Sequence, residues 1–313
     1  MNIYFTFDPR PDLKEDLVKN FPDQEFVFQN RIDDGLKNAD IVVTYGEDLT
    51  EKHVDEAEHL QWIMVCSAGL EKMPLKEIAE KGIVVSNVRG IHKTPMAESV
   101  LAHLLSYHRS LPWIYGKQKQ REWSRKHKST EIQGTTALIL GPGAIGGEIG
   151  RLLQAFGVKT IGCNRSGHTA AYMDDMVDFA NLESVLPQVD TVISVLPSTE
   201  ETHYLLKDNH FKAMKDTALF MNFGRGDLVE TDVLKRALEQ KEIAYAVCDV
   251  FEDEPLPEDH PFWTMDNITV SPHISSQSSR YLERSMEIFK PNLEKWLKGE
   301  QDVTNKIDPL KGY

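Results

Sequence analysis

The sequence predicts an α/β protein made of two doubly wound parallel-sheet domains, one inserted into the other. Three observations carry that prediction. A chain of 313 residues is long for one core and natural for two. Short apolar, β-rich runs alternate with helical patterns almost throughout, as parallel sheets with crossover helices require. A second α/β series begins at Thr135 and carries a glycine-rich turn, Gly141-Pro142-Gly143-Ala144-Ile145-Gly146.

In the first third, strands are expected at IYFTF, EFVFQ, DIVVTYG, LQWIMVCSAG and GIVVSN, with helical segments such as PDLKEDLVKN and PLKEIAEKG between some of them. TPMAESVLAHLLSYHRSL reads as one long helix, opened by Thr94 and Pro95 and followed by Pro112. The second series has six expected strands: TTALILG, VKTIGCN, DTVISVLP, TALFMNFG, AYAVCDVF and NITVSPH. The last helix, SRYLERSMEIFKPNLEKWLKG, places Leu282, Met286, Phe289, Leu293, Trp296 and Leu297 at helical spacing, and Pro291 is expected to bend it. The expected division is residues 1–94 with 276–313 as one domain, and 95–275 as the inserted one.

Composition narrows the function classes. Hydrophobic residues make up 41% and charged residues 27%, the balance of a soluble globular chain. A net charge of −14 repels phosphate backbones, so nucleic acid is not an expected partner. No apolar stretch is long enough to span a bilayer, and the opening MNIYFTFDPR reads as a strand, not a signal peptide. Cys66, Cys163 and Cys248 lie far apart in apolar runs and are expected as buried, reduced thiols. A cytoplasmic protein is the expectation. No His/Cys/Asp cluster has metal-ligand spacing, so no metal is expected.

The glycine turn fits G-x-G-x-x-G. The pattern gains its force from context: it follows the apolar TALIL and precedes the helical GEIGRLLQAFG. Gly141 permits the tight turn, Gly143 lets the backbone approach a pyrophosphate, and Gly146 lets helix and strand pack closely. The amides at the helix start, Ala144 and Ile145 among them, then face the phosphates. The plainer alternative is a strand–turn–helix whose glycines serve packing alone. The next strand ends at Asn164, 18 residues beyond Gly146, where such sites usually carry an acid about 20 residues on that grips the ribose hydroxyls. Asn164 is neutral, Arg165 can pair with phosphate, and Ser166 adds a hydroxyl. That set predicts NADP(H) as the preferred coenzyme. The alternative has Arg165 stacking on the adenine and NAD(H) bound.

Three later strand ends carry polar residues in apolar surroundings: Arg225 in MNFGRGDLVE, Glu254 in CDVFEDEPLP and His273 in TVSPHISS. With GPGAIG, SVLPSTEET, NFGRGDLV, DVFEDEPLP and SPHIS in order, the chain closely resembles the D-2-hydroxyacid dehydrogenase family over most of its length. SAGLEKMP adds to the resemblance in the first third. The resemblance implies a Rossmann cofactor domain inserted into a flavodoxin-like substrate domain. It implies His273 as general acid, Glu254 holding the other imidazole nitrogen, and Arg225 anchoring the substrate carboxylate and polarising the carbonyl. Glu254 is chosen over Glu252 and Asp253 because the family's acid directly precedes the proline.

The resemblance further implies that Ala68 and Gly69 bind the substrate carboxylate and that Asp249 contacts the nicotinamide carboxamide. Leu196, Pro197, Phe223, Gly224 and Ser275, with Arg225 and His273, would line the cofactor. Taken singly, each of these residues has a bland reading as a turn, packing or solvated-loop residue. His92, His103, His108, His127 and Lys128 receive no site role. Substrate side-chain selection is expected from pocket residues near Tyr45, Leu70 and Trp123, which spacing alone does not place.

Glyoxylate, hydroxypyruvate and longer 2-keto acids are the expected substrates of such a 2-keto acid reductase. A formate dehydrogenase is disfavoured, because that branch carries Gln where Glu254 stands. A phosphoglycerate dehydrogenase with a regulatory tail is disfavoured by the short stretch after His273. The competing class is a non-catalytic, dinucleotide-sensing binding protein of the same fold. A homodimer is also implied. Met96, Val100, Leu101, Leu104 and Leu105 on the long helix offer more apolar surface than one neighbour normally covers, with burial inside one chain as the alternative.

Overall fold

The computed structural model describes residues 1–67, 69–70 and 72–310. The chain divides into two compact units, residues 1–91 with 278–313 and residues 92–277.

The first unit is built on β1 (Asn2–Phe5), β2 (Glu25–Phe28), β3 (Ile41–Thr44), β4 (Trp62–Val65) and β5 (Val84–Asn87), with a short strand at Lys306–Ile307. The sheet order is Lys306–Ile307, β5, β4, β3, β1, β2, and every pairing is parallel except that of the short strand with β5. The inner strands read as unbroken apolar runs because both faces are covered. Ile3 and Phe5 enter the core that holds helices Pro11–Asn20 and Tyr281–Leu297, whereas Tyr4, between them, enters the core on the other face. Helix Tyr281–Leu297 runs through Pro291 without a break and buries Met286, Phe289, Leu293 and Trp296. Trp62 stacks on Phe289 and Trp296, with ring centroids 5.6 and 5.3 Å away.

The second unit holds β6 (Thr136–Leu140), β7 (Lys159–Asn164), β8 (Asp175–Asp178), β9 (Thr191–Ser194), β10 (Leu219–Asn222), β11 (Tyr245–Cys248) and β12 (Ile268–Val270). They form an all-parallel sheet in the order β12-β11-β10-β9-β6-β7-β8. The order reverses at β6, so the topological switch point falls at the glycine turn. Leu138 and Leu140 face one core, Ala137 and Ile139 the other.

Three expectations are corrected. The long helix ends at His108. Ser110 then takes a left-handed conformation (φ +56°), and a second helix, Leu111–Lys119, begins with Pro112 in its first turn, where the missing N–H costs nothing. Of the five apolar residues singled out on this helix, Met96, Val100 and Leu104 lie in the unit's own core, with Leu101 and Leu105 packed against it. They therefore offer little surface to a partner. Strand β8 was not expected at all. Its sequence, DMVD, is too polar to be read as a strand, and it pairs only with β7 at the sheet edge.

All three cysteines are buried free thiols, and burial pushes each up to about 12. Among the described residues, no helix is long and apolar enough to cross a membrane, and no group of His, Cys, Asp and Glu could hold a metal ion.

Candidate active site

The glycine turn closes β6 and opens helix Ala144–Ala155. Gly141 adopts φ +90°, a left-handed conformation that glycine holds without strain. A Cβ on Gly146 would overlap the Gly141 carbonyl oxygen, so helix and strand meet at a distance only glycine allows. A Cβ on Gly143 would meet no atom within 4 Å, and this exposed backbone lies at the helix N-cap. The turn thus combines a close-packed base with an open backbone at a positive helix end, which fits a dinucleotide pyrophosphate. Ala144 is exposed and Ile145 half-buried at the helix start.

The end of β7 is a compact turn. The Asn164 Oδ1 accepts from the Ser166 N–H (3.1 Å), and its Nδ2 donates to the His168 carbonyl (3.0 Å). Asn164 therefore spends both halves of its amide on its own turn and presents Arg165 and Ser166 outward. The Arg165 guanidinium pairs with Glu201 at 3.0 Å.

Two residues that sequence reasoning missed build the neighbouring loops. Asn222, buried at the end of β10, accepts from the Gly224 N–H (3.1 Å) and donates to the Arg225 carbonyl (2.9 Å). It thereby folds the turn that carries Arg225, whose Nη1 also donates to the Gly224 carbonyl at 3.0 Å. Glycine is obligatory on both sides: a Cβ at Gly224 would overlap the Leu196 carbonyl, and one at Gly226 would overlap the Phe251 carbonyl. Phe223 and Leu196 are buried beneath this turn, whereas Pro197 is exposed. Ser271, buried after β12, donates its hydroxyl to Asp249.

Asp249 is 1% exposed and accepts twice more, from the backbone N–H of Ile274 and of Ser275, each at 3.0 Å. The carboxylate thus clamps the chain on both sides of His273, which sits between them at φ +54°. A left-handed conformation at a residue with a Cβ costs about 1–2 kcal/mol, and the clamp holds it. Three of the carboxylate's roughly four acceptor positions are taken, leaving one on Oδ2.

His273 places its Nδ1 2.8 Å from the Glu254 Oε2, leaving Nε2 for other chemistry. The other Glu254 oxygen accepts from the Phe251 N–H (3.0 Å), so one carboxylate both orders its loop and orients the ring. Glu252 turns elsewhere, to the Tyr204 hydroxyl (2.7 Å) and the Thr231 N–H. Arg225, Asp249, Glu254 and His273 all stand on loops beyond the carboxyl ends of β10, β11 and β12, where open parallel sheets gather their ligands. An oriented imidazole with one nitrogen held by a carboxylate can exchange a proton with a bound substrate.

In the first unit, Ala68 lies outside the described residues. Gly69 follows β4, and its carbonyl accepts from the Ser67 hydroxyl (2.8 Å). Leu70 is a core residue, 4% exposed. Tyr45 is partly exposed beside Phe7, with ring centroids 4.6 Å apart. In the second unit, Trp123 is 90% exposed. The histidines given no role are held by local contacts: His103 lies 5.8 Å from the Phe223 ring, and the His108 Nδ1 is 2.8 Å from the Thr130 hydroxyl.

Residues 101–275 match the family model described as D-isomer specific 2-hydroxyacid dehydrogenase, NAD binding domain. A glyoxylate reductase of Thermofilum pendens is 28% identical over 297 residues, covering 93% of this chain and 83% of that one. A D-isomer specific 2-hydroxyacid dehydrogenase family protein of Aeromonas salmonicida superposes with a TM-score of 0.86 at 32% identity, covering 98% of this chain and 99% of the other. An NADPH-dependent glyoxylate/hydroxypyruvate reductase of Sinorhizobium meliloti superposes with a TM-score of 0.80 at 25% identity, covering 98% of each chain.

Proposed function

The chain belongs to the D-isomer specific 2-hydroxyacid dehydrogenase family of NAD(P)-dependent oxidoreductases, and on that premise we propose that it reduces small 2-keto acids, with NADPH preferred over NADH. The observation that carries the reading is the 2.8 Å His273–Glu254 pair at a strand end of the same sheet that bears the glycine cradle. NAD(P)H, when bound, supplies the hydride that adds to the carbonyl carbon. His273 gives the proton from Nε2 to the carbonyl oxygen as negative charge develops there, and Glu254 keeps the ring oriented through Nδ1. Arg225 holds the substrate carboxylate and polarises the carbonyl.

Gly141, Gly143, Ala144, Ile145 and Gly146 receive the pyrophosphate. Leu196, Pro197, Phe223, Gly224 and Ser275 line the cofactor, and the remaining acceptor position of Asp249 suits the carboxamide. Arg165 and Ser166 take the 2′-phosphate on a turn built by Asn164. A homodimer accompanies this reading. Helix Leu111–Lys119 buries none of its residues and leaves Ile114 and Tyr115 exposed, which gives a second copy an apolar surface.

The test is turnover of glyoxylate, hydroxypyruvate and longer 2-keto acids with NADPH or NADH, followed by loss of cofactor absorbance. Turnover of at least one acid, faster at low NADPH than at low NADH, is expected. Tight cofactor binding with no turnover on any of them would leave the dinucleotide-sensing protein as the account.

A further inference from the structure

Arg165 is not free to wait for a phosphate. Its Nη1 lies 3.0 Å from the Glu201 Oε1, across 36 residues of sequence. Glu201 is not a loosely hanging acid either. It stands on the loop that follows β9, which is braced by its own hydroxyls: the Thr202 hydroxyl donates to the Pro197 carbonyl (2.6 Å), and the Thr199 N–H donates to the Thr202 hydroxyl (2.9 Å). The Thr199 hydroxyl donates to the second Glu201 oxygen at 3.3 Å. One carboxylate oxygen is thus tied to its loop and the other to Arg165. The guanidinium beside Glu201 holds its carboxyl below the usual range, so the acid is charged at neutral pH.

We infer that Glu201 is a coenzyme-specificity residue, an intramolecular counterion that a 2′-phosphate must displace from Arg165. The inference rests on the reading of Arg165 as the phosphate's partner. A phosphate and a carboxylate compete for the same guanidinium fork, and the displaced carboxylate stays nearby as a like charge. A 2′-hydroxyl carries no charge and leaves the pair intact. Glu201 therefore weakens NADPH while leaving NADH untouched, and the chain keeps both coenzymes within reach. Both side chains are exposed, 76% for Arg165 and 54% for Glu201, so the effect is modest. Pairs of this kind shift an equilibrium by up to about fivefold, with repulsion of the phosphate added to that.

The experiment measures dissociation constants of NADPH and NADH by fluorescence titration for the parent, Glu201→Gln, Arg165→Ala and the double variant. Glu201→Gln is expected to tighten NADPH about three- to tenfold and to leave NADH within twofold. In the Arg165→Ala background the tightening should shrink to the repulsion alone, below about threefold. An unchanged NADPH constant in Glu201→Gln, with Arg165→Ala still selectively weakening NADPH, would overturn this inference and spare the phosphate reading. Equal effects of Arg165→Ala on both coenzymes would overturn both. A merely structural role for Glu201 would move NADPH and NADH together. Titration of 2′,5′-ADP against 5′-AMP repeats the comparison without the nicotinamide half, and the same ratio is expected.

Discussion

Asp249 offers the sharpest physical test of how this site is held together. Replacing it with Asn keeps the shape and removes one acceptor. In the better orientation the remaining oxygen serves the Ser271 hydroxyl and the Ile274 N–H, and the new NH2 faces the Ser275 N–H, donor against donor. Losing one hydrogen bond to a charged group costs about 1.5–3 kcal/mol, and the burial of Asp249 at 1% exposure leaves little water to repair it. A domain of the second unit's size loses about 2–4 °C in melting temperature per kcal/mol, so Asp249→Asn should lower it by roughly 3–12 °C. Asp249→Ala strands all three donors and should cost about 3–5 kcal/mol after partial rescue by water. Activity should fall more than stability suggests, because His273 loses the clamp that keeps it at φ +54° and in line with Glu254. A small misplacement of a catalytic group costs on the order of a hundredfold. Thermal unfolding and kcat/KM are measured on the same preparations. An Asn variant that melts within about 2 °C of the parent and keeps parental kcat/KM would refute the clamp, since a buried donor left facing a donor is costly.

Other outcomes follow from the same structure. His92 is buried, and burial pushes it down to about 4. Its folded value lies below the unfolded one of about 6.5, so its contribution is complete above that pH and is lost as pH falls toward 4, by up to about 1.4 kcal/mol per pH unit. Burial lowers His103, His108 and His210 in the same direction. Melting temperature should therefore drop between pH 6.5 and 4.5, and His92→Gln should flatten that slope; an unaltered slope would contradict the assignment. Gly143→Ala, whose Cβ meets no protein atom, should fold like the parent yet bind NAD(P)H at least tenfold more weakly, whereas Gly146→Ala should lose stability as well. Parental cofactor affinity in Gly143→Ala would remove that backbone from the pyrophosphate site. Light scattering at micromolar concentration should report a dimer, and Tyr115→Glu should shift it toward monomer; a parent that is monomeric there would refute the dimer.

Much of this was legible in the sequence because its causes are local. The glycine turn declares itself through what precedes and follows it, and the inner strands declare themselves as apolar runs because helices cover both faces of each sheet. Strand β8 was not legible, since an edge strand of sequence DMVD is held by backbone pairing to β7 and carries no apolar pattern. The break after the long helix was misread because a proline marks a helix start as readily as a stop. The loop-building roles of Asn222 and Asp249 were hidden for a different reason. Asp249 finds its partners 22 to 26 residues away, at distances only the assembled sheet brings together. The same holds for Arg165 and Glu201. The choice of Glu254 among three successive acids rested on resemblance, and the sheet-end geometry separates them by sending Glu252 to Tyr204 and Thr231.

The central claim is that this chain uses His273 to protonate a 2-keto acid as it is reduced. It is tested most directly by reacting enzyme, NADPH and the best keto acid that gives a chiral product, hydroxypyruvate or a longer one, then analysing the product by chiral chromatography for the parent and His273→Gln. The account predicts one D-2-hydroxy acid formed per NADPH consumed by the parent. It also predicts a rate lower by about a hundred- to ten-thousandfold in His273→Gln, with NADPH affinity within a few-fold of the parent. A His273→Gln variant that turns over at the parental rate, or a parent that yields the L-acid, would contradict it.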